Sequence, residues 1–381
     1  MGERFPGAAA EGAPLRVTSL ELFFDLVFVF TITQLSALLT AELTPLGMVR
    51  VLLIFGVAWW MYGGYAWLTN TSVPHGIADR VLLLLGMAGF LVVALAIPSA
   101  FGRSGVALGL GYLVVVCVHA GLYARANRNI LLIAPFNVAS ALLVIGAGML
   151  HGPARYGAWV AALAVQVTAP LLVNVGGRFG IGPAHFVERH GGLIIIALGE
   201  SIVAVGIGLA DRPITGALVA SALLGLAVSA GLWWAFFGVG DDERAERAMT
   251  AAQPEARPGL ALNGYFYAHM PMLLGIVILA AGIKRSIGES AHAAPGPALA
   301  IGGGVALFLV GAALFRHALR IGPAITRMAA AGAALAASAI GAFLAVEAQL
   351  VALAAVLALM LAGDRALSGR GRNPSAVARD P

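Results

Sequence analysis

Charge is scarce in this chain. Of 381 residues only 11% are Asp, Glu, Lys or Arg, and cysteine occurs once, at Cys117 inside an apolar run. A single thiol excludes an internal disulfide, so cysteine usage says nothing about redox compartment. There is no His-Glu-x-x-His zinc motif, no nucleophile elbow and no P-loop, which removes common signatures of metalloproteases, hydrolases and nucleotide-driven enzymes. No cofactor or metal is called for, and no enzymatic activity is expected. Met1 to Val17 also lacks the basic n-region and small-residue cleavage site of a secretory signal. That polar, Gly/Ala-rich stretch reads as a disordered tail, and the first apolar run as an insertion signal retained in the mature protein.

What the chain has instead is apolar length. Sixty per cent of its residues are hydrophobic and its mean hydropathy is +0.92, which does not describe a soluble globular domain. Runs of about 18 residues or more span a hydrocarbon core about 30 Å thick. Twelve such runs fall at 19–41, 48–69, 80–100, 104–124, 130–150, 155–175, 186–209, 214–239, 261–283, 298–317, 324–345 and 347–364. The last two are the least clearly separated, by Ala345-Val-Glu347-Ala-Gln349, so the count lies between ten and twelve, with twelve favoured. The expected fold is all-α, a polytopic membrane helix bundle.

Orientation follows from the cations. With the N-terminus on side one, 17 Lys and Arg residues fall on that side and 6 on the other, Arg50, Arg103, Arg155, Arg212, Lys284 and Arg285. The positive-inside rule then puts both termini in the cytoplasm. The net charge of +5 is a topology signal, with no nucleic-acid signature in it.

The chain also reads as a duplication. Glu21 pairs with Glu188, Trp59-Trp60 with Trp233-Trp234, Met87-Ala-Gly89 with Met272-Leu-Leu-Gly275, and Tyr123…Arg128 with Phe315…Arg320. The offsets grow in order, 167, 174, 185 and 192, and a longer loop at 240–260 absorbs much of the drift. Two six-helix repeats of the same orientation are expected, related by an axis along the membrane normal. Their limits are read as 18–178 and 185–365, flanked by disordered tails at 1–17 and 366–381.

Two segments place charge in lipid-soluble helix, where a carboxylate costs a few kcal/mol even on the gentlest scale (about 2.5–3.5 kcal/mol). In Thr18-Ser-Leu-Glu21-Leu-Phe-Phe24-Asp25, Glu21 and Asp25 stand one turn apart on one face, so they repel and one is expected to keep its proton. In His185-Phe-Val-Glu188-Arg189-His190…Leu-Gly199-Glu200-Ser201, the first charges gather where a helix N-terminus favours an anion. Glu200 follows Glu188 by about 18 Å of helix, near the midplane, between small Gly199 and Ser201 that would admit a neighbouring helix.

Blander readings stand beside these. Glu21 and Asp25 could snorkel or pair with an arginine such as Arg80, Glu188 and Arg189 could be a local pair, and Glu200 could make a structural hydrogen bond. His119 and His269 read as satisfied core groups, His75 and His292 as loop residues, and the Trp pairs as packing or interfacial anchors. Gln34, Asn70, Asn137 and Asn174 read as interhelical polar contacts.

The two motifs, Leu20-Glu-Leu-Phe-Phe-Asp25-Leu-Val-Phe-Val and His185…Glu188-Arg189-His190…Ala-Leu-Gly199-Glu200-Ser201, resemble the bacterial low-temperature-requirement A family over about residues 15 to 365. The resemblance implies a multi-pass bacterial inner-membrane protein named for a cold-growth phenotype. Its signature positions here are Glu21, Phe24, Asp25, His185, Glu188, Arg189, His190, Gly199 and Glu200, with Gly191-Gly192-Leu193 replacing the usual Gly-Leu. Phe24-Asp25-Leu-Val-Phe-Val-Phe-Thr-Ile-Thr33 is also similar to the first helix of a potassium-channel family marked by Phe-Ser-Asp, with Phe24 in place of the Ser. That second resemblance implies architecture by analogy and not potassium selectivity.

The leading expectation is a conduit or transporter for a proton, cation or small solute, its path lined by Glu21, Asp25, Gln34, Glu200 and Ser201 between the repeats. Alternatives are a structural or sensory membrane protein needed in the cold, or a membrane-embedded lipid-modifying enzyme. The expected partners are the lipid bilayer and an unknown ion or small solute, with homo-oligomerisation left open.

Overall fold

The computed structural model describes residues 16–71, 76–173, 180–210, 213–287 and 293–370. His75, Asn174, His292 and most of both expected tails lie outside them. Every regular element among the described residues is helical. In chain order these are α1 (Ser19–Ala41), α2 (Pro45–Thr71), α3 (Ile77–Ala96), α4 (Gly105–Ala126), α5 (Ala134–Met149), α6 (Gly152–Leu172), α7 (Pro183–Gly208), α8 (Gly216–Trp233), α9 (Asp241–Ala251), α10 (Arg257–Ala261), α11 (His269–Ser286), α12 (Pro295–Leu319), α13 (Ile325–Ala336), α14 (Ser338–Phe343) and α15 (Val346–Arg370). A π-helical turn at Trp234–Gly238 carries α8 into α9, and another at Leu262–Tyr267 carries α10 into α11.

Taken with those joins, and α13 with α14, the helices form twelve rods among the described residues. Ten have the length and hydropathy to cross a bilayer. The remaining two are α5, apolar but only 16 residues long, and α6, which carries Arg155, Gln166 and Thr168. The bundle of about twelve helices expected from composition is therefore the fold. The doubtful boundary between the last two rods falls at Leu344–Ala345, at the start of the expected separator, and Glu347 and Gln349 lie in the first turn of α15.

Two expected non-helical stretches are helical. Residues 241–251, read as part of a loop, form α9: Gly240 turns the chain at φ 70, and Asp241, Asp242 and Glu243 fill the first turn, where the helix dipole favours anions. The C-terminal tail was expected from 366, but α15 runs to Arg370 because Ala366 and Leu367 continue a good helical sequence.

The duplication is visible in packing. In the first half α1 packs on α2 and α3, α2 on α4 and α6, α3 on α4, α4 on α5, and α5 on α6. The second half repeats these relations: α7 on α8 and α11, α8 on α12 and α15, α11 on α12, α12 on α13, and α13 on α15. The closest backbone approaches also correspond. A Cβ added to Gly89 of α3 would stand 2.9 Å from the Gly111 carbonyl of α4, and one added to Gly275 of α11 would stand 2.6 Å from the Gly304 carbonyl of α12. Small residues permit such contacts between membrane helices, where lipid supplies no hydrophobic drive for association. The halves meet along α1 with α7, α1 with α11, and α2 with α7.

Candidate functional site

The polar residues of that central contact form two clusters. The first is organised by a cap. Thr18 and Glu21 make a capping box: the Thr18 N–H and hydroxyl each donate to Glu21 Oε2 at 2.9 Å, and the Glu21 N–H donates back to the Thr18 hydroxyl at 3.3 Å. This fixes Glu21, 1% exposed, at the start of α1.

Asn70 at the end of α2 fixes the facing helix. Its Oδ1 accepts from Gly182 N–H at 2.8 Å, and its Nδ2 donates to Gly182 carbonyl at 2.9 Å and reaches His185 Nδ1 at 3.2 Å. Because Nδ2 can only donate, His185 Nδ1 must accept, and the ring proton sits on Nε2. That nitrogen is 3.1 Å from Glu21 Oε1. His185 therefore donates to Glu21 without needing a positive charge.

Arg189, one turn further along α7, completes the cluster. Its Nη1 donates to Glu21 Oε1 at 3.3 Å and to the Thr69 hydroxyl, while Nη2 and Nε donate to Asp25 Oδ1 at 3.0 and 3.2 Å. Tyr62 donates to the same Oδ1 at 3.0 Å. The guanidinium lies over the rings of Phe24 and Tyr62, 5.5 and 5.7 Å from their centroids. Asp25 is wholly buried, yet its Oδ2 has no hydrogen-bond partner among the described residues. Two carboxylates thus face one guanidinium, a formal charge of −1 with both acids ionised.

The second cluster surrounds Glu200. Lys284 of α11 donates to Glu200 Oε1 at 2.6 Å and to the Ser36 hydroxyl at 2.9 Å. Thr33 of α1 donates to Glu200 Oε2 at 2.7 Å across a sequence separation of 167. Thr33 of α1 and Lys284 of α11 thus bring both halves of the chain onto this one carboxylate. Arg189 and Glu200 are eleven residues apart on α7, about 16 Å at 1.5 Å per residue. Between the clusters come Phe28 and Ile32 on α1 and Leu193, Ile194 and Ala197 on α7, all buried and apolar.

Several sequence expectations are corrected here. The arginine facing Glu21 and Asp25 is Arg189, not Arg80, which is exposed on α3. Glu188 does not pair with Arg189: neighbouring residues on a helix diverge by about 100°, so Arg189 turns inward while Glu188 is exposed and accepts from the Val17 N–H at 3.3 Å. Because α7 starts at Pro183, Glu200 sits a turn past its middle. Gly199 admits no neighbour, since an added Cβ would meet nothing within 4 Å. Ser201 is turned to α8, donating to the Leu198 carbonyl at 2.6 Å and meeting the Ser229 hydroxyl at 2.8 Å. Gln34 is half-buried and joins neither cluster among the described contacts.

His190 lies behind the first cluster, its Nδ1 on the Phe186 carbonyl at 2.8 Å and its ring 5.6 Å from His269. His269 in turn bonds the Gly264 carbonyl through Nδ1 at 3.0 Å, but its Nε2 has no hydrogen-bond partner among the described residues, so it is a core group only half satisfied. His119 packs between Tyr65 and Tyr123. Asn137 accepts from Trp60 at 3.1 Å, an interhelical contact as read. Trp59 is buried and donates to the Phe266 carbonyl across the halves at 3.0 Å, whereas Trp233 and Trp234 are 40% and 43% exposed, as surface anchors would be.

Sequence reasoning missed Lys284, taken as a loop cation although it is the chain's single lysine. It also missed a third buried cluster in the second half. Asp241 accepts from Arg244, from Arg316 at 2.7 Å and from Arg327 at 3.0 Å. Asp364 accepts from Arg327 at 2.6 Å, Arg316 at 3.0 Å and the Thr326 hydroxyl at 2.5 Å.

Comparison with known proteins places this arrangement. The family described as bacterial low temperature requirement A protein (LtrA) matches residues 16–362. The chain belongs to the LtrA family. A protein of Rhizobium meliloti (strain 1021), itself described as uncharacterized, is similar to it at 29% identity over 310 residues, covering 76% of this chain and 75% of the relative. The LtrA match takes in both central clusters, and with the ten apolar helices it makes this a multi-pass membrane protein.

Proposed function

We propose that this LtrA-family protein moves a proton or small cation across a bacterial inner membrane, using the two clusters between its repeats as successive stations. The observation that carries the reading is Asp25: fully buried, with Oδ2 unpartnered, in a cluster of two carboxylates and one guanidinium. An uncompensated buried anion is costly, so a proton or small cation belongs with it. The position of Glu200 where α1 of the first half meets α7 and α11 of the second supports the same reading, because repeat transporters place their sites at the interface between repeats. The apolar side chains between the stations make this a closed state, so movement requires α1 and α7 to shift against each other. The repeats are taken as 18–178 and 185–365, with both termini cytoplasmic, and no catalytic step is assigned.

A structural role in cold growth is favoured by one observation, the Glu200–Lys284 pair, which is neutral and complete without a ligand. Proteoliposomes with imposed proton or monovalent-cation gradients and a pH-reporting dye separate the two. Transport predicts protein-dependent flux that Asp25→Asn and Glu200→Gln each reduce at least tenfold. Flux equal to that of empty vesicles under every gradient leaves the structural role.

A further inference from the structure

At the far end of the second repeat α12 stops in an unusual way. Arg320 caps it at φ 55, the single non-glycine residue with positive φ among the described residues. Glycine is the ordinary occupant of such a position, since a Cβ crowds the backbone there. The cap is closed by backbone bonds, Ile321 N–H to the Arg316 carbonyl at 3.1 Å and Arg320 N–H to the His317 carbonyl at 3.3 Å. The last turn therefore does not present a row of bare acceptors.

Beside this cap lies an open cavity of about 700 Å³, bounded by Asn263 and Tyr267 of the π turn and by Leu314, Arg316, His317 and Arg320 of α12 and its cap. No carboxylate is among its lining residues. Arg316 belongs to the third cluster, where among the described contacts three guanidinium groups, Arg244, Arg316 and Arg327, meet the carboxylates of Asp241 and Asp364. Arg320 and His317 are exposed and take no ion-pair partner among the described residues. Leu314, one turn before His317 on α12, is 47% exposed, and Tyr267 of the π turn is 42% exposed. The rods alternate in direction, so the end of α12 lies on the same face of the bundle as the starts of α1 and α7, at the end of a rod long and apolar enough to span a membrane.

We infer that this cavity binds the phosphate headgroup of an anionic phospholipid, with Arg320 and His317 facing the phosphate and Leu314 and Tyr267 against the upper acyl chains. Basic pockets between membrane helices suit such headgroups, and an aromatic ring at headgroup level suits the boundary between phosphate and chain. The site stands apart from the central clusters, and neither its presence nor its loss depends on transport.

The test is native mass spectrometry of the full chain in detergent, titrated with phosphatidylglycerol, with phosphatidylcholine, and with inorganic phosphate as competitor. Arg320→Asn removes the cation with a residue that tolerates positive φ, so folding is retained, and Arg320→Lys restores the charge. The inference predicts saturable phosphatidylglycerol binding in preference to phosphatidylcholine, about fivefold weaker in Arg320→Asn and largely recovered in Arg320→Lys. Equal binding of the two lipids, or phosphatidylglycerol binding unchanged in Arg320→Asn, overturns it. Displacement of the lipid by inorganic phosphate at matching concentration also overturns it, and assigns the cavity to a free phosphate instead.

Discussion

Asp25 on α1 and Arg189 on α7, 164 residues apart in sequence, are joined through one carboxylate oxygen and leave the other without a partner. Arg189 is shared with Glu21, so the guanidinium serves two anions and fully satisfies neither. The contact ties the repeats together and holds a surplus of negative charge at their junction.

Removing the guanidinium should therefore be more harmful than removing the acids. Arg189→Met leaves two buried carboxylates uncompensated and should cost about 3–5 kcal/mol of stability. Adding Glu21→Gln and Asp25→Asn to that variant should recover most of the loss. Thermal unfolding in detergent, followed by size-exclusion monodispersity, reads both outcomes; a triple variant no more stable than Arg189→Met would speak against the charge argument.

Lys284 offers a direct report on the second station. It is the chain's single lysine, its side chain is 6% exposed, and it is held by Glu200 at 2.6 Å. An amine-reactive reagent should label only the N-terminal amine in the closed state. Glu200→Gln removes the ionic partner and should raise labelling of the Lys284 peptide several-fold, measured by peptide mass spectrometry. Complete labelling of Lys284 in the wild type would contradict its burial.

Helix contacts predict a contrast between glycines. Gly275→Val and Gly304→Val push a side chain into backbone within 3 Å and should lose folded protein, as overpacking typically costs about 1–3 kcal/mol or more. Gly199→Ala places a methyl in open space and should be neutral or slightly stabilising, despite the position's place in the motif. Yields of monodisperse protein at two temperatures distinguish the cases.

The cap of α1 gives a smaller, graded effect. Thr18→Ala deletes one half of the capping box and frees Glu21 to turn away from His185. The expected loss is about 1 kcal/mol, with Thr18→Ser close to wild type. Equal stability of all three chains in thermal melts would show that the box does not hold Glu21.

Much of this was legible before the structure. Apolar run length is a local property dictated by bilayer thickness, so the rods could be counted from the sequence, and the Met87-Ala-Gly89 and Met272-Leu-Leu-Gly275 correspondence led to two like helix contacts. Thr18-Ser-Leu-Glu21 spells out its capping box in four residues. Pairings were less legible because they depend on which face of one rod meets another. Arg189 and Glu188 are adjacent in the chain and face opposite ways, and Lys284 sits at the end of an apolar run, where a loop cation and a buried ion pair look the same. The third cluster draws Asp241, Arg316, Arg327 and Asp364 from four rods, and nothing in their spacing announces it. The π turn at Trp234–Gly238 also shifts helical register in a way that hydropathy does not record.

The account rests on Asp25 being charged more than its protein partners can balance. Infrared spectroscopy of the purified protein, with and without small monovalent cations and referenced to Asp25→Asn, measures this most directly. The account predicts a protonated-carboxyl absorption or a cation-dependent carboxylate shift that vanishes in Asp25→Asn. An ordinary ionised carboxylate at Asp25, insensitive to every cation tried, would contradict it.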